Sequence, residues 1–149
     1  HAKVAVLFID VDDFKFINDR FGHSVGDKGI KYVAGCIKQR VKGSGFAGRF
    51  GGDEFVLCIT DAKQIEEIES LSLDLIDELY EGYHSELANV SINVKASIGI
   101  AFFPEHGDDS NKIVAAADEA MYFVKKNGKA NYHIYQPEDS QIEDLQHTL

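Results

Sequence analysis

Carboxylates stand in two tight groups along this chain of 149 residues. Asp10, Asp12 and Asp13 directly follow a short apolar run, and Asp53-Glu54 opens another apolar segment about forty positions later. Carboxylate oxygens are ligands that Mg²⁺ prefers, and paired Mg²⁺ ions stabilise the attacking and leaving oxygens of phosphoryl transfer. The two groups together predict a metal-assisted site. For Asp10 to Asp13 alone, the alternative is a solvated acidic turn at a helix N-terminus, where acidic residues are favourable.

The elements that position these carboxylates follow from hydrophobic spacing and turn residues. Their order is β-α-β-β-α-β-α-β, which contains the ferredoxin-like β-α-β-β-α-β core of an α+β fold. In that core, helices pack on one face of an antiparallel sheet. The predicted strands and helices, in chain order, are Lys3–Ile9, Gly26–Val41, Phe46–Phe50, Phe55–Thr60, Lys63–Tyr83, Val90–Phe103, Asn111–Lys126 and Tyr132–Tyr135.

The core predicts how the two acidic groups meet. Its first strand lies antiparallel beside the strand that starts at Asp53, so the exit of one strand meets the entry of the other. Asp10 and Asp53 should then face a common point. Between the second and third strands, Gly51-Gly52-Asp53-Glu54 predicts a hairpin turn, because glycine accepts positive φ angles without steric cost.

Composition excludes several classes of function. A net charge of −10 argues against binding a nucleic-acid backbone, yet it allows a polyphosphate held through divalent cations. No apolar stretch approaches the ~20 residues of a membrane-spanning helix. Cys36 and Cys58 stand alone in apolar segments and are expected to be buried small hydrophobes in a reducing compartment. The histidines and serines match no zinc-protease or nucleophile-elbow pattern, so hydrolase mechanisms lack support.

Four segments, taken together, resemble the GGDEF family of diguanylate cyclases. The defining motif corresponds to Arg49-Phe50-Gly51-Gly52-Asp53-Glu54-Phe55, and the family's D-x-D-x-F-K-x-x-N-D-x-x-G-H-x-x-G-D segment corresponds to Asp10 through Asp27. Ser97 to Ala101 and Ala117 to Tyr122 with Lys125 also match in order. The resemblance implies a palm-type fold and nucleotidyl transfer, in which two GTP molecules are condensed into cyclic di-GMP.

The resemblance also implies the metal ligands and catalytic groups. Asp10, the backbone carbonyl of Val11 and Asp53 would bind Mg²⁺, with Glu54 as a further ligand. Two Mg²⁺ ions are expected per active site, with Mn²⁺ as a substitute. Asp53 would accept the proton of the 3′-hydroxyl, while Lys15 and Glu54 are the other implied catalytic residues.

The substrate contacts implied by the resemblance come from five side chains and a helix start. Asn18 and Asp27 would read guanine, although on the residues alone they are a turn residue and a helix N-terminal cap. Lys15 and Lys125 would meet phosphate oxygens, helped by backbone amides around Phe14. Lys129 stands where the family often has arginine, so it keeps the charge without the bidentate fork.

The expected organisation is a catalytic domain over residues 1–135, truncated at its N-terminus, and a C-terminal tail over 136–149. Catalysis is expected to need a homodimer, with one GTP in each domain. We expect a cytoplasmic domain without membrane or nucleic-acid contact, even if its parent protein is membrane-anchored, and an upstream sensor domain in that parent. The alternative is a catalytically silent module that binds GTP or cyclic di-GMP for signalling.

Overall fold

A five-stranded sheet lies at the centre of the protein, whose computed structural model describes residues 3–41 and 43–140. In chain order the elements are β1 (Lys3–Val11), α1 (Phe14–Phe21), α2 (His23–Lys38), β2 (Phe46–Arg49), β3 (Glu54–Ala62), α3 (Ile65–Glu81), β4 (Tyr83–Ser85), β5 (Val90–Ile92), β6 (Ala96–Phe103), α4 (Ser110–Lys126) and β7 (Tyr132–Ile134). The sheet has the order β2-β3-β1-β6-β7, with only the β6–β7 pair parallel. A separate β4–β5 hairpin stands beside it.

The central strand β1 is apolar on both sides because helices cover both faces of the sheet. Ala5, Leu7 and Ile9 belong to the core shared with α1, α2 and α3, while Val6 and Phe8 belong to the core shared with α4. The α+β sheet fold is confirmed. The one-sided packing expected of the core helices is also confirmed, because α2 and α3 share one face of the sheet, while α4, which follows that core in the chain, covers the opposite face.

Helix α4 lies very close to the sheet at Gly99 of β6. A β-carbon at Gly99 would stand 1.9 Å from the carbonyl oxygen of Ala117 and 2.2 Å from the backbone nitrogen of Met121. No side chain fits between the strand and the helix there, so glycine sets the distance of α4 from the sheet. The same helix carries Lys125 to the end of β1.

Helix α1 and the β4–β5 hairpin are absent from the predicted elements. Helix α1 is short and Ile17 is its only buried residue, so its apolar periodicity is weak. Helix α3 ends at Glu81 because Gly82 adopts φ 83° and lies directly against the carbonyl of Ile92. The chain then turns into β4, and the predicted strand Val90–Phe103 is divided into β5 and β6.

The predicted tail begins as an ordered segment. Residues 137–140 are helical, and buried Asp139 accepts a hydrogen bond from the backbone N–H of Gln136 at 2.9 Å. The Asp139 carboxylate also lies 3.1 Å from Nε2 of His133. Residues 141–149 of the tail lie outside the described residues.

Two further predictions concern the state of the two cysteines and the length and apolar content of the helices. Cys36 and Cys58 are both free and buried, as expected. In the described ranges, no helix has the length and apolar content to span a membrane.

Candidate active site

The two acidic groups meet at the end of β1. Asp10 is the register partner of Glu54 on β3, and the backbone N–H of Val11 donates to the carbonyl of Asp53 at 3.0 Å. This juxtaposition follows from the antiparallel β1–β3 pair, as the sequence predicted. The four predicted metal ligands therefore lie together where β1 ends and β3 begins. We call this group the acidic edge; its members are Asp10, Val11, Asp53 and Glu54.

Asp10 is an incompletely paired carboxylate. Its side chain is 18% exposed, its Oδ2 lies 3.5 Å from Nζ of Lys125, and its Oδ1 is buried without a hydrogen-bond partner in the described chain. Burial raises the pKa of Asp10 to about 7; Lys125 opposes that rise, and the charges of Asp53 and Glu54 add to it. The local environment therefore disfavours a negative charge unless a cation compensates it.

Asp12, by contrast, is fully satisfied by protein groups. Its side chain is 0% exposed and accepts hydrogen bonds from Nζ of Lys125 at 2.5 Å, Oγ of Ser97 at 2.7 Å and the N–H of Ala130 at 3.0 Å. We call these four residues the Asp12 cluster. No separate role for Asp12 is predicted from the sequence, because residue type alone does not distinguish it from its acidic neighbours. Its position between Ser97 of β6 and Lys125 of α4 distinguishes Asp12 from those neighbours.

The remaining predicted cations, Lys15 and Lys129, are placed differently from Lys125. Lys129 is exposed, and its Nζ donates to Oδ1 of Asp13 at 3.0 Å, which raises the pKa of the lysine. Lys15 is exposed on α1, one residue after half-buried Phe14. All three lysines lie on segments that begin or end near the acidic edge.

Asn18 lies against helix α2 at Gly26, the residue that precedes Asp27. The buried Oδ1 of Asn18 has no hydrogen-bond partner among the described residues, and a β-carbon on Gly26 would stand 1.7 Å from it. The Asn18 amide therefore lies against the α2 backbone beside exposed Asp27. Asp27 is inside α2, which begins at His23 after an N-cap at Gly22, so the interpretation of Asp27 as a helix cap is wrong.

The turn between β2 and β3 is closed by Arg49, for which the sequence motif alone predicts no role. Its Nη2 donates to the carbonyl of Gly52 at 2.6 Å, and its Nε donates to the carbonyl of Gly51 at 3.1 Å. Neither Gly51 nor Gly52 adopts a positive φ angle, so backbone conformation does not explain why glycine occupies these two positions. Apart from its two chain neighbours, no described residue has an atom within 4 Å of a β-carbon built on Gly52.

The acidic edge is not a complete metal cage. Among residues 3–41 and 43–140, no three His, Cys, Asp or Glu side chains form a group that could hold a metal ion. Mg²⁺ is usually bound by one or two carboxylates plus waters and substrate phosphates. The orphaned Oδ1 of Asp10 beside Asp53 and Glu54 fits a site of that kind.

Comparisons with known proteins identify relatives over nearly the whole chain. The family model described as "Diguanylate cyclase, GGDEF domain" matches residues 1–131. Diguanylate cyclase DosC of Escherichia coli (strain K12) is 34% identical over 135 residues, 90% of this chain and 29% of DosC. Cyclic di-GMP phosphodiesterase PdeR of the same strain is 33% identical over 139 residues, 93% of this chain and 21% of PdeR.

A solved structure agrees with the fold described above. The GGDEF-only truncation of PA1120 (TpbB or YfiN) from Pseudomonas aeruginosa is similar with a TM-score of 0.91 and 30% identity, over 96% of this chain and 83% of that chain. The chain thus corresponds to one domain of such proteins. It spans less than a third of the length of the two curated relatives above.

Proposed function

We propose, from the premise that this chain belongs to the GGDEF domain family, that it is a diguanylate cyclase domain condensing two GTP molecules into cyclic di-GMP and two pyrophosphates. The observation that carries the proposal is the meeting of Asp10, Asp53 and Glu54, with Lys125 beside Asp10. A metal-assisted nucleotidyl transfer needs such an unsatisfied carboxylate to hold its cations.

The residues present fit Mg²⁺, with Mn²⁺ as a substitute. Asp10, the carbonyl of Val11 and Asp53 would hold two ions, with Glu54 as a further ligand. When bound, the ions neutralise phosphate charge and lower the pKa of the attacking hydroxyl. The orphaned Asp10 oxygen supports this assignment, because an unpaired buried polar atom is otherwise a cost to stability.

The protein groups have distinct parts in the proposed reaction. Asp53 accepts the proton of the 3′-hydroxyl, whose oxygen attacks the α-phosphorus of the other GTP as the bond to pyrophosphate breaks. Lys125 remains bonded to Asp12, and an ammonium group has three donors, so it can also meet phosphate. Lys15 and Lys129 contribute positive charge from exposed positions, and the backbone around Phe14 contributes amides.

Guanine is read by Asn18 and Asp27 in this proposal. The carboxylate of Asp27 accepts from N1–H and the 2-amino group, while the amide of Asn18 donates to O6. Adenine has neither the O6 acceptor nor the N1–H donor. The placement of Asn18 beside Gly26 supports a shared binding site, because it brings the amide to the helix segment that carries Asp27.

The reaction is proposed to require two GTP-loaded domains face to face, as a homodimer. Each domain supplies the hydroxyl of one reaction step and the phosphorus of the other. The turnover rate per domain should therefore increase with protein concentration. A flat specific activity over a hundredfold dilution would contradict this half-site mechanism or reveal a dimer that stays intact throughout.

A silent GTP-binding or cyclic di-GMP-binding module is the second candidate. It is favoured by the similarity to PdeR, a protein named for cyclic di-GMP hydrolysis rather than synthesis. Under this alternative the chain would bind nucleotide without product formation. The retained set of Asp10, Lys15, Asn18, Asp27 and Asp53 argues for the cyclase.

The test is product analysis by mass spectrometry after incubation with GTP or ATP and Mg²⁺. We expect cyclic di-GMP from GTP, no product from ATP, and loss of product in Asp53→Asn. The matched control is Asp61→Asn, which changes an exposed aspartate near the far end of β3, the strand that begins directly after Asp53. Substantial turnover by a folded Asp53→Asn variant would refute the role of Asp53, and binding of GTP by the wild type without product would favour the silent module.

A further inference from the structure

Strand β4 contacts helix α2 on both sides of Asp27. The hydroxyl of Tyr83 donates to the backbone carbonyl of Val25 at 3.0 Å. One turn later, Nζ of Lys28 donates to the carbonyl of His84 at 2.6 Å. These two hydrogen bonds connect the β4–β5 hairpin to the part of α2 that includes Gly26 and Asp27.

Tyr83 reaches Val25 because α2 has glycine at the point of contact. A β-carbon on Gly29 would stand 2.6 Å from the Tyr83 hydroxyl and 3.1 Å from its ring carbon Cζ. The ring of Tyr32 lies 5.6 Å from that of Tyr83 and supports it from the side. Burial raises the pKa of the Tyr83 hydroxyl, so the group stays a protonated donor at neutral pH.

The part of α2 that these hydrogen bonds restrain is the part that involves both residues proposed to read guanine. Asn18 of α1 lies against Gly26, one residue after Val25, while Asp27 follows Gly26 directly. A rotation or shift of α2 at Val25 would move Asp27 relative to Asn18. Recognition of a base edge depends on small displacements, so a hydrogen bond that fixes this turn affects specificity.

We propose that Tyr83 is a positioning residue for guanine recognition, whose hydroxyl fixes the turn of α2 that carries Asp27. This inference rests on the proposed function, in which Asp27 accepts from the N1–H and the 2-amino group of guanine. Tyr83 itself does not touch the base. It acts through the carbonyl of Val25.

The experiment is Tyr83→Phe, assayed by calorimetric titration with GTP and with ITP, which lacks the 2-amino group. We expect GTP affinity to fall about fivefold, the size of one lost hydrogen bond, and ITP affinity to fall less. The preference for GTP over ITP should therefore decrease. A general loss of structure would weaken the binding of both nucleotides alike. Circular dichroism shows directly whether the variant is folded.

Tyr32→Phe is the matched control. Like Tyr83→Phe, it removes a tyrosine hydroxyl that donates to a backbone carbonyl. The hydroxyl of Tyr32, on α2, donates to the carbonyl of Glu78 on α3 at 2.5 Å. Its preference for GTP should equal that of the wild type. Lys28→Met removes the second hydrogen bond with little risk to folding, because that bond is exposed, and should change the preference in the same direction as Tyr83→Phe.

A double-mutant cycle with Asp27→Ala separates the possible outcomes. If Tyr83 acts through Asp27, then Tyr83→Phe has no further effect on the GTP/ITP ratio in the Asp27→Ala background. An unchanged ratio in the single variant, or an equal further change in the double variant, would overturn the inference alone. A wild type without preference for GTP would overturn the proposed guanine reading, and the inference with it.

Discussion

Replacing Asp12 by asparagine tests whether the Asp12 cluster positions Lys125. The substitution keeps the shape of the side chain but removes its charge and one of its two acceptor oxygens. In the folded protein both oxygens are used, Oδ1 by Lys125 and Ser97 and Oδ2 by the N–H of Ala130. Either orientation of the new amide therefore brings its NH₂ group against existing donors.

The magnitude follows from burial. Breaking a buried ion pair by removing one partner costs about 3–5 kcal/mol, because the remaining charge is left without compensation. Lys125 is 20% exposed and has Asp10 at 3.5 Å as a second partner, so the lower end of that range applies. We expect Asp12→Asn to reduce the free energy of unfolding by about 3 kcal/mol. A domain of ordinary stability stays folded after such a loss.

The assay is urea unfolding followed by circular dichroism, with Asp13→Asn as the control. Asp13 is the next residue, but its side chain is 60% exposed and pairs with exposed Lys129, so its replacement should leave stability near that of the wild type. Equal effects of the two substitutions would refute the reasoning. So would a loss below about 1 kcal/mol for Asp12→Asn, because the network would then not behave as a buried ion pair.

Three further substitutions test other parts of the structure. Gly99→Ala should destabilise the fold by about 2 kcal/mol or more in urea unfolding, because its β-carbon would stand 1.9 Å from the Ala117 carbonyl oxygen. Gly35→Ala in α2 is the control, because a β-carbon at that position would stand in open space. We expect a slight gain in stability there, and a loss comparable to that of Gly99→Ala would contradict the explanation by steric clash. Gly52→Ala should leave thermal unfolding unchanged and abolish cyclic di-GMP formation; retained activity would show that no ligand approaches this backbone. Asp10→Asn should end catalysis yet raise the melting temperature in EDTA at pH 8, since it removes a buried, poorly compensated charge, and a lower melting temperature would contradict that account.

The sequence predicted the acidic edge because two local features were sufficient to define it. An apolar run ending at Asp10 and a glycine turn before Asp53 place both residues at strand ends. The antiparallel pairing of those strands then brings them together. This inference needs only strand order and direction, which short-range patterns and the β-α-β-β-α-β order supply.

The contacts of Lys125 could not be predicted in the same way. They depend on which face of the sheet α4 covers, and the hydrophobic pattern of α4 is compatible with either face. The actual face follows from long-range packing, with Gly99 admitting the helix backbone. Helix α1 is not predicted for a related reason: Ile17 is its only buried residue, so its position is fixed mainly by its neighbours.

The two carboxylates on either side of Val11 show how the fold divides stability from function. Asp12 is satisfied by Lys125, Ser97 and a backbone N–H, whereas Asp10 keeps a buried oxygen without a partner in the described chain. If Lys125 bonded to Asp10 more closely than to Asp12, the acidic edge would be neutralised from within. Its shorter bond to Asp12, 2.5 Å against 3.5 Å to Asp10, holds the ammonium group beside the site while compensating the Asp10 charge only in part. A cation fixed before substrate binds needs little reorganisation during the reaction. The Asp12 cluster therefore stabilises the fold and also fixes the lysine assigned to phosphate binding, so substitution of Asp12 should impair catalysis even in molecules that remain folded.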